Sequence, residues 1–276
     1  AGGCRDGGVP AVSGPPLLEM RGVSKSFGAS RALDDVSLVV EGGEVHALVG
    51  ENGAGKSTLM KVLSGAYRPD SGAMFLAGVR YAPKGPREAR SLGVAMIYQE
   101  LALAPHLSVE ANVMLGQERV AAGLVRRREH RRVVAEALAL LEHPDILPDA
   151  VVGRLGVAAQ QLVEVARALV SDARVIVFDE PTSSLTEHDA ARLFAVIERL
   201  RARGLAIVYI SHFIEEVKSV ADRFVVLRDG RNAGEGAISE TSGEEIVRMM
   251  VGRGLEDLYR RSSRTAGEVV VSVDEF

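Results

Sequence analysis

A glycine-rich stretch, residues 50–58 with the sequence GENGAGKST, combines residue types and a spacing suited to phosphate binding. Glycine at positions 50 and 55 permits a turn in which successive backbone N–H groups approach phosphate oxygens. Lys56 is then placed to pair with the β- and γ-phosphates, and Ser57 to offer its hydroxyl to Mg²⁺. A glycine-rich turn that binds no ligand is the alternative interpretation, and the neighbouring elements discriminate between the two.

The segments on either side of this loop predict the strand and the helix that a phosphate site requires. Residues 45–49 (VHALV) form a short apolar run typical of a buried strand, and residues 57–63 (STLMKVL) open a helix. Phosphate would then lie at the N-terminus of that helix, where unpaired backbone N–H groups point outwards. The predicted phosphate-binding loop consists of Gly50, Glu51, Asn52, Gly53, Ala54, Gly55, Lys56, Ser57 and Thr58.

Two adjacent carboxylates follow a later apolar run, residues 175–180 with the sequence VIVFDE. In open parallel sheets, ligands bind beyond the carboxyl ends of the strands, which is where Asp179 and Glu180 would lie. Asp179 is placed to hold Mg²⁺ through water, and Glu180 to polarise the water that attacks a γ-phosphate. Acidic residues that merely begin a solvated loop are the alternative, but the loop at 50–58 favours the catalytic interpretation.

The remaining sequence predicts an α/β fold. Predicted strands lie at 17–24, 36–40, 73–76, 94–97, 175–178, 206–210 and 224–227, and an amphipathic helix lies at 189–201. Residues 107–169 differ, because the segments VVAEALALLEH and QQLVEVARALV place apolar residues at helical spacing. Strands alternating with helices on both sides of a phosphate loop indicate a mostly parallel sheet, with a helical insertion between its early and late strands.

Composition argues against several other classes of protein. The net charge of −4 argues against a protein that mainly binds nucleic acid backbone. No stretch approaches ~18 uninterrupted apolar residues, so no transmembrane helix is predicted. The single cysteine, Cys4, cannot form an internal disulfide, which is typical of a reducing cytoplasm. The basic run at 126–132 (RRREHRR) is interpreted as a solvated helix face, with a site for anionic lipid or a partner as the alternative.

Taken together, these motifs resemble those of ATP-binding cassette ATPases, and most closely the ATP-binding subunit of bacterial monosaccharide importers. The resemblance covers about residues 17–260. Besides the loop and VIVFDE, it is carried by SKSFG (24–28), IYQE (97–100), EPTSSLT (180–186), VYISHFIEEV (208–217) and MMVGRGLEDLY (249–259). The fold that it implies is α/β of the P-loop NTPase (RecA-like) type: a mostly parallel sheet core, an antiparallel β subdomain and an inserted α-helical subdomain.

The resemblance also implies roles for three further side chains. Phe27 would stack on adenine, although a lone aromatic residue is more often part of a core. Gln99 would contact Mg²⁺ and the attacking water, and its loop would report to the membrane partner. His212 would hydrogen-bond the γ-phosphate. ATP and Mg²⁺ are the implied cofactors, with Ser57, Gln99 and Asp179 near the metal.

The implied organisation is one cassette of a tandem protein. Residues 1–16 are interpreted as a disordered leader, and residues 17–255 as the nucleotide-binding domain with a helical subdomain at about 105–171. Residues 256–276 would form a linker and the start of a second cassette, because EVVVSVDEF resumes a strand-like run; a stray C-terminal strand is the alternative. The implied partners are transmembrane permease subunits, the second cassette and, indirectly, an extracytoplasmic sugar-binding protein, with the chain peripheral to the cytoplasmic face of the membrane and no nucleic acid bound.

Two departures from the family pattern leave alternatives open. Where the family carries a Leu-Ser-x-Gly-Gln type signature, this chain reads LGVAA at 155–159, so that Gly156 lacks a hydroxyl and Ala159 an amide. Thr186 replaces an aspartate that is usual in the wider superfamily. The altered signature leaves a nucleotide-binding regulatory protein that does not turn over as an alternative. Independently of these departures, the motifs do not separate a nucleoside importer from a sugar importer, a non-transport protein acting on DNA ends or ribosomes is a further alternative, and the sequence does not name the sugar.

Overall fold

The computed structural model describes residues 14–118, 120–121 and 124–252. Cys4, most of the predicted leader and the predicted linker with its strand-like run lie outside these residues. In the part of the chain that the structure describes, no helix has the length and apolar character needed to cross a membrane.

Strands and helices alternate along most of the described chain. The strands are β1 (Leu18–Phe27), β2 (Ser30–Val40), β3 (Val45–Val49), β4 (Ser71–Leu76), β5 (Val79–Tyr81), β6 (Val94–Ile97), β7 (Val120–Ala121), β8 (Leu124–Val125), β9 (Val175–Asp179), β10 (Ala206–Ile210), β11 (Arg223–Arg228) and β12 (Arg231–Ala237). The helices are α1 (Lys56–Leu63), α2 (Pro86–Ser91), α3 (Val109–Met114), α4 (Arg127–Leu140), α5 (Val157–Val170), α6 (Glu187–Ala202), α7 (Ile214–Val220) and α8 (Gly243–Val251).

The main sheet has six strands in the order β12-β11-β3-β10-β9-β6. Its strands are parallel from β11 to β6, and β12 pairs antiparallel at the edge. Strands β3 and β10 are buried at every position, which is why they read as continuous apolar runs and not as alternating ones. The prediction of a mostly parallel α/β sheet is confirmed.

The antiparallel part of the fold is a four-stranded sheet in the order β2-β1-β4-β5. Its strands are covered on one face, so that the second half of β2 alternates between buried and exposed side chains. Val36, Leu38 and Val40 are buried there and join the core that contains α1. The implied antiparallel β subdomain is therefore present, and β5, which the sequence did not predict, is its edge strand.

Side chains of β9, in the main sheet, alternate between two hydrophobic cores. Ile176 and Phe178 of β9 face the core formed with helices α3 to α6, whereas Val175 and Val177 face the core shared with α1 and the antiparallel sheet. A sheet covered on both faces holds its strands rigidly, so loops at their carboxyl ends keep fixed relative positions. The fold thereby fixes the edge where the candidate site lies.

Between β6 and β9 the described residues form three α-helices, a short hairpin and the loops that connect them. Helices α3, α4 and α5 lie where the sequence predicted helices, but β7 and β8 pair antiparallel between α3 and α4. The prediction of helices throughout 107–169 is wrong at this hairpin. Strands of two residues are too short to produce a detectable period in the sequence.

Candidate functional site

The glycine-rich loop connects β3 to α1, as the sequence predicted, and its conformation requires two of its glycines. A Cβ atom at Gly50 would lie 2.3 Å from the backbone oxygen of Leu227, and one at Gly55 would lie 2.8 Å from that of Ala32. Gly55 also precedes α1 with a φ of 107°, which L side chains rarely adopt. The loop is thus packed tightly against β11 and β2, and not free to move independently of them.

We expect Gly50→Ala to lower the free energy of unfolding by about 3 kcal/mol, because a backbone oxygen stands where the new methyl group would be. Gly53→Ala is the matched control in the same loop. Gly53 also has a positive φ, 85°, but nothing lies within 4 Å of its Cβ position, so we expect a loss of only about 1 kcal/mol. Urea unfolding of both variants provides the measurement, and equal losses would contradict the packing argument.

The Lys56 side chain folds back over the loop that precedes it. Its Nζ donates to the carbonyl oxygens of Gly50 at 2.6 Å and of Glu51 at 3.1 Å, and only 7% of the residue is exposed. Burial lowers the pKa of Lys56, whereas the negative charges of Glu180 and Asp179 oppose this shift. A desolvated ammonium group is suited to bind phosphate oxygens in place of water, although the two neighbouring carboxylates offset part of its charge.

The two predicted carboxylates lie at the carboxyl end of β9, beside the loop. Burial raises the pKa of Asp179, the adjacent charge of Glu180 raises it further, and Lys56 partly offsets both effects. Glu180 adopts a positive φ of 46°, and its backbone N–H donates to the carbonyl of Ile210 at 3.0 Å. A positive φ is a strained backbone conformation for a residue other than glycine. Such conformations cluster at active sites, and Glu180 has one at the edge of the sheet.

His212 contacts Glu180 directly. The distance between Nδ1 of His212 and Oε1 of Glu180 is 3.0 Å, and the ring of Phe213 lies 4.1 Å from the imidazole, centroid to centroid. The two residues are brought together because β10, which precedes His212, pairs in parallel with β9, which precedes Glu180. The carboxyl ends of two neighbouring parallel strands therefore place a histidine and a carboxylate in contact.

An open cleft of about 360 Å³ lies at this edge of the sheet. It is lined by Ala32, Asn52, Gly53, Gly55, Lys56, Ser57, Thr58, Gln99, Asp179 and Glu180. Most of the predicted site residues thus share one cleft with the loop amides. Ala32 in β2 was not predicted, and no pattern in the sequence distinguishes it from other strand alanines.

Five predicted residues do not line this cleft, and one of them is His212, which contacts Glu180 as described above. Ala54 is buried beneath the loop, while Gly50 and Glu51 contribute carbonyl oxygens to Lys56. Phe27 is 44% exposed at the end of β1, where its ring packs edge-on against Tyr67 with 5.1 Å between centroids. The half-exposed ring is not part of a core, and its role as an adenine platform stays a prediction.

The cleft contains oxygen donors that fit Mg²⁺. The Ser57 hydroxyl, the Gln99 amide and the Asp179 carboxylate are the hard ligands that Mg²⁺ prefers, and substrate phosphates usually complete its shell. Within the described residues no group of three His, Cys, Asp or Glu side chains forms a ready-made metal cage. The Ser57, Gln99 and Asp179 donors therefore suit a metal ion that also binds substrate phosphates.

The segment that departs from the signature lies outside the cleft. Gly156 is the N-cap of α5 and offers no side-chain hydrogen bond, and Val157 is 42% exposed beside it. One turn further, the Gln161 amide donates to the carbonyl of Pro181, directly after Glu180. Helix α5 is therefore tied to the end of β9, although its N-terminus does not line this chain's own cleft.

Thr186, the second departure, has a structural task. Its hydroxyl accepts the backbone N–H of Asp189 at 3.2 Å and donates to the Asp189 carboxylate at 2.8 Å. This arrangement caps the N-terminus of α6 and satisfies a helix donor that would otherwise be unpaired. Threonine thus serves as a helix cap at this position.

The fold and the cleft define a class of protein, and comparison with known families agrees with it. The model of the ABC transporter family matches residues 33–183, more than half of the chain, and the chain belongs to this family. Among curated proteins it is 47% identical over 259 residues to the ribose import ATP-binding protein RbsA of Chromobacterium violaceum. It is 50% identical over 271 residues to ribose import ATP-binding protein RbsA 1 of Burkholderia ambifaria.

These alignments cover 94% and 96% of this chain, but in both cases only 52% of the relative. The chain therefore spans about half the length of the curated relatives that it matches. Among solved structures, the ADP conformation of MJ1267, an ATP-binding cassette of an ABC transporter, is similar with a TM-score of 0.73 and 26% identity. That similarity covers 86% of this chain and 99% of the other.

Proposed function

We propose that this chain binds ATP with Mg²⁺ in the cleft and hydrolyses it to energise the import of a monosaccharide. The observation that carries the proposal is the convergence of Lys56, Asp179, Glu180 and His212 around one glycine-rich loop. The similarity to ribose import ATP-binding proteins supports the transport role.

The loop amides and several side chains at the cleft have defined roles in this reaction. The loop amides and Lys56 hold the β- and γ-phosphates, and Glu180 orients and polarises the water that attacks the γ-phosphorus. Since Nδ1 of His212 contacts Glu180, its other ring nitrogen, Nε2, is the atom left to hydrogen-bond the γ-phosphate. Mg²⁺, when bound through Ser57, Gln99 and Asp179, neutralises phosphate charge. Catalysis here consists of positioning and electrostatic stabilisation.

The proposed assembly contains two cassettes. We assign the nucleotide-binding domain to residues 17–255 and its helical subdomain to about 105–171. Because the N-terminus of α5 does not line this chain's cleft, it is suited to bind the γ-phosphate held by an opposite cassette. The length of the relatives supports a second cassette on the same full-length chain, in residues that follow 256. Permease subunits would dock this assembly at the cytoplasmic face of the membrane and receive sugar from an extracytoplasmic binding protein.

We expect deletion of the native gene to reduce uptake of labelled ribose at low concentration by at least about tenfold, with the wild-type gene restoring it. Hydrolysis by this subunit would power the permease, so Glu180→Gln in the native gene should not restore uptake. Uptake of an unrelated amino acid is the control. Xylose, arabinose, galactose and a nucleoside are measured in parallel, and a defect confined to the nucleoside would replace the sugar assignment. Normal uptake of every solute would contradict an import role.

The altered signature favours one other candidate, a nucleotide-binding regulatory protein that switches without turnover. Gly156 and Ala159 offer no side-chain hydrogen bonds to a γ-phosphate, so at these two positions only the backbone can donate. Measurable Mg²⁺-dependent hydrolysis by the full-length gene product excludes this candidate. ATP binding without any hydrolysis would support it.

A further inference from the structure

Three hydroxyl groups from two segments of the chain converge on one carboxylate, that of Glu216. Glu216 lies in the first turn of α7, and the Thr182 hydroxyl donates to its Oε1 at 2.8 Å. The hydroxyls of Tyr209 and Ser211 donate to its Oε2 at 3.0 Å and 3.1 Å.

These hydroxyl donors lie on both sides of the candidate catalytic pair. Thr182 follows Glu180 by two residues, and Ser211 immediately precedes His212. The Ser211 oxygen also accepts the backbone N–H of Phe213 at 3.0 Å, so the main chain on both sides of His212 is held. A single carboxylate thus connects the segment that carries Glu180 to the segment that carries His212.

A carboxylate is the group that this arrangement requires. An ionised glutamate only accepts hydrogen bonds, and three hydroxyl protons point at it. Burial and the neighbouring charge of Glu216 raise the pKa of Tyr209, which keeps its hydroxyl a donor. A glutamine of the same shape would present an NH₂ group to at least one hydroxyl, so the network would have to rearrange.

We propose that Glu216 is a positioning residue for hydrolysis, which fixes His212 relative to Glu180 through Ser211 and Thr182. The inference rests on the proposed ATPase function. The distance of 3.0 Å between His212 and Glu180 is maintained only if the two loops that carry them keep their relative positions. A small displacement of a reacting group lowers the reaction rate strongly. Glu216 is the described side chain that bonds to both loops.

The test is a double-mutant cycle in the full-length gene product with Glu216→Gln, His212→Ala and both together. We expect Glu216→Gln to lower kcat about tenfold. The KM for ATP should change by less than about twofold, because the phosphate contacts remain. In the His212→Ala background, Glu216→Gln should lower the residual single-turnover rate by less than about twofold. An equal proportional loss in both backgrounds, or an unchanged kcat in the single variant, would overturn the proposal.

Glu215→Gln is the matched control, because it removes the same charge from the same helix turn at an exposed side chain. It should retain the wild-type kcat. If Glu216→Gln does not fold, Ser211→Ala and Tyr209→Phe each remove one hydroxyl, and Ser211→Ala should lower kcat more, because Ser211 adjoins His212. The reverse order overturns the proposal.

If the wild-type protein hydrolyses no ATP, the proposed function itself fails. If the wild-type protein hydrolyses ATP, and His212→Ala lowers the rate whereas Glu216→Gln does not, only this inference fails.

Discussion

Replacement of Glu180 by glutamine is expected to lower the rate of ATP hydrolysis about 10³-fold, because the amide cannot polarise the attacking water. The substitution keeps the size and the hydrogen-bonding reach of the side chain. It also removes a negative charge beside Lys56 and Asp179, so the affinity for ATP should stay the same or increase. Single-turnover hydrolysis and equilibrium nucleotide binding, both with Mg²⁺, measure the two effects separately.

Glu187→Gln is the matched control for this substitution. Glu187 is an exposed glutamate that begins α6 a few residues further along the chain, so its loss alters the same net charge away from the cleft. We expect wild-type rates for it. A Glu180→Gln protein that hydrolyses ATP within about threefold of wild type would assign the water-polarising role to another residue.

The strands that position this site could be predicted because they are buried on both faces of the sheet. The predicted bounds 45–49, 94–97 and 206–210 agree with β3, β6 and β10. These strands are covered by other elements on both faces, so burial selects short apolar runs that end abruptly at polar residues. The loop follows β3, and the two carboxylates stand at the end of β9, which is another buried apolar run, so their positions followed from the sequence.

The contacts between loops could not be predicted in the same way. Glu180 and His212 are 32 residues apart, and their contact depends on the pairing of β9 with β10, which no local pattern encodes. Helix α7 is only seven residues long and produces little helical periodicity. The role of Glu216 follows only from the three hydroxyls that the folded chain brings to it.

Replacement of Lys56 by methionine is expected to weaken ATP binding by about 2–3 kcal/mol, or about 30- to 140-fold in Kd. The ammonium group is held over the loop by two backbone carbonyls, so it is already placed where phosphate charge would arrive. Methionine keeps most of the apolar stem but donates no hydrogen bond. Titration with ATP and Mg²⁺, followed by calorimetry, measures the loss.

Lys61→Met, on the same helix, is the matched control. It removes the same charge as Lys56→Met, so it shows how much of the lost ATP affinity comes from net charge and how much from the position of Lys56. Lys61 is exposed and lies in the last turn of α1, where its charge acts on the cleft only at a distance.

Burial lowers the pKa of Lys56 below its ordinary value of 10.5, so this group loses its proton at a lower pH than an exposed lysine. Wild type and Lys61→Met should therefore both lose ATP affinity as pH rises towards that pKa, whereas Lys56→Met should show a flatter profile. An identical alkaline fall in all three proteins would mean that a different group titrates, and that Lys56 does not supply the charge that binds phosphate.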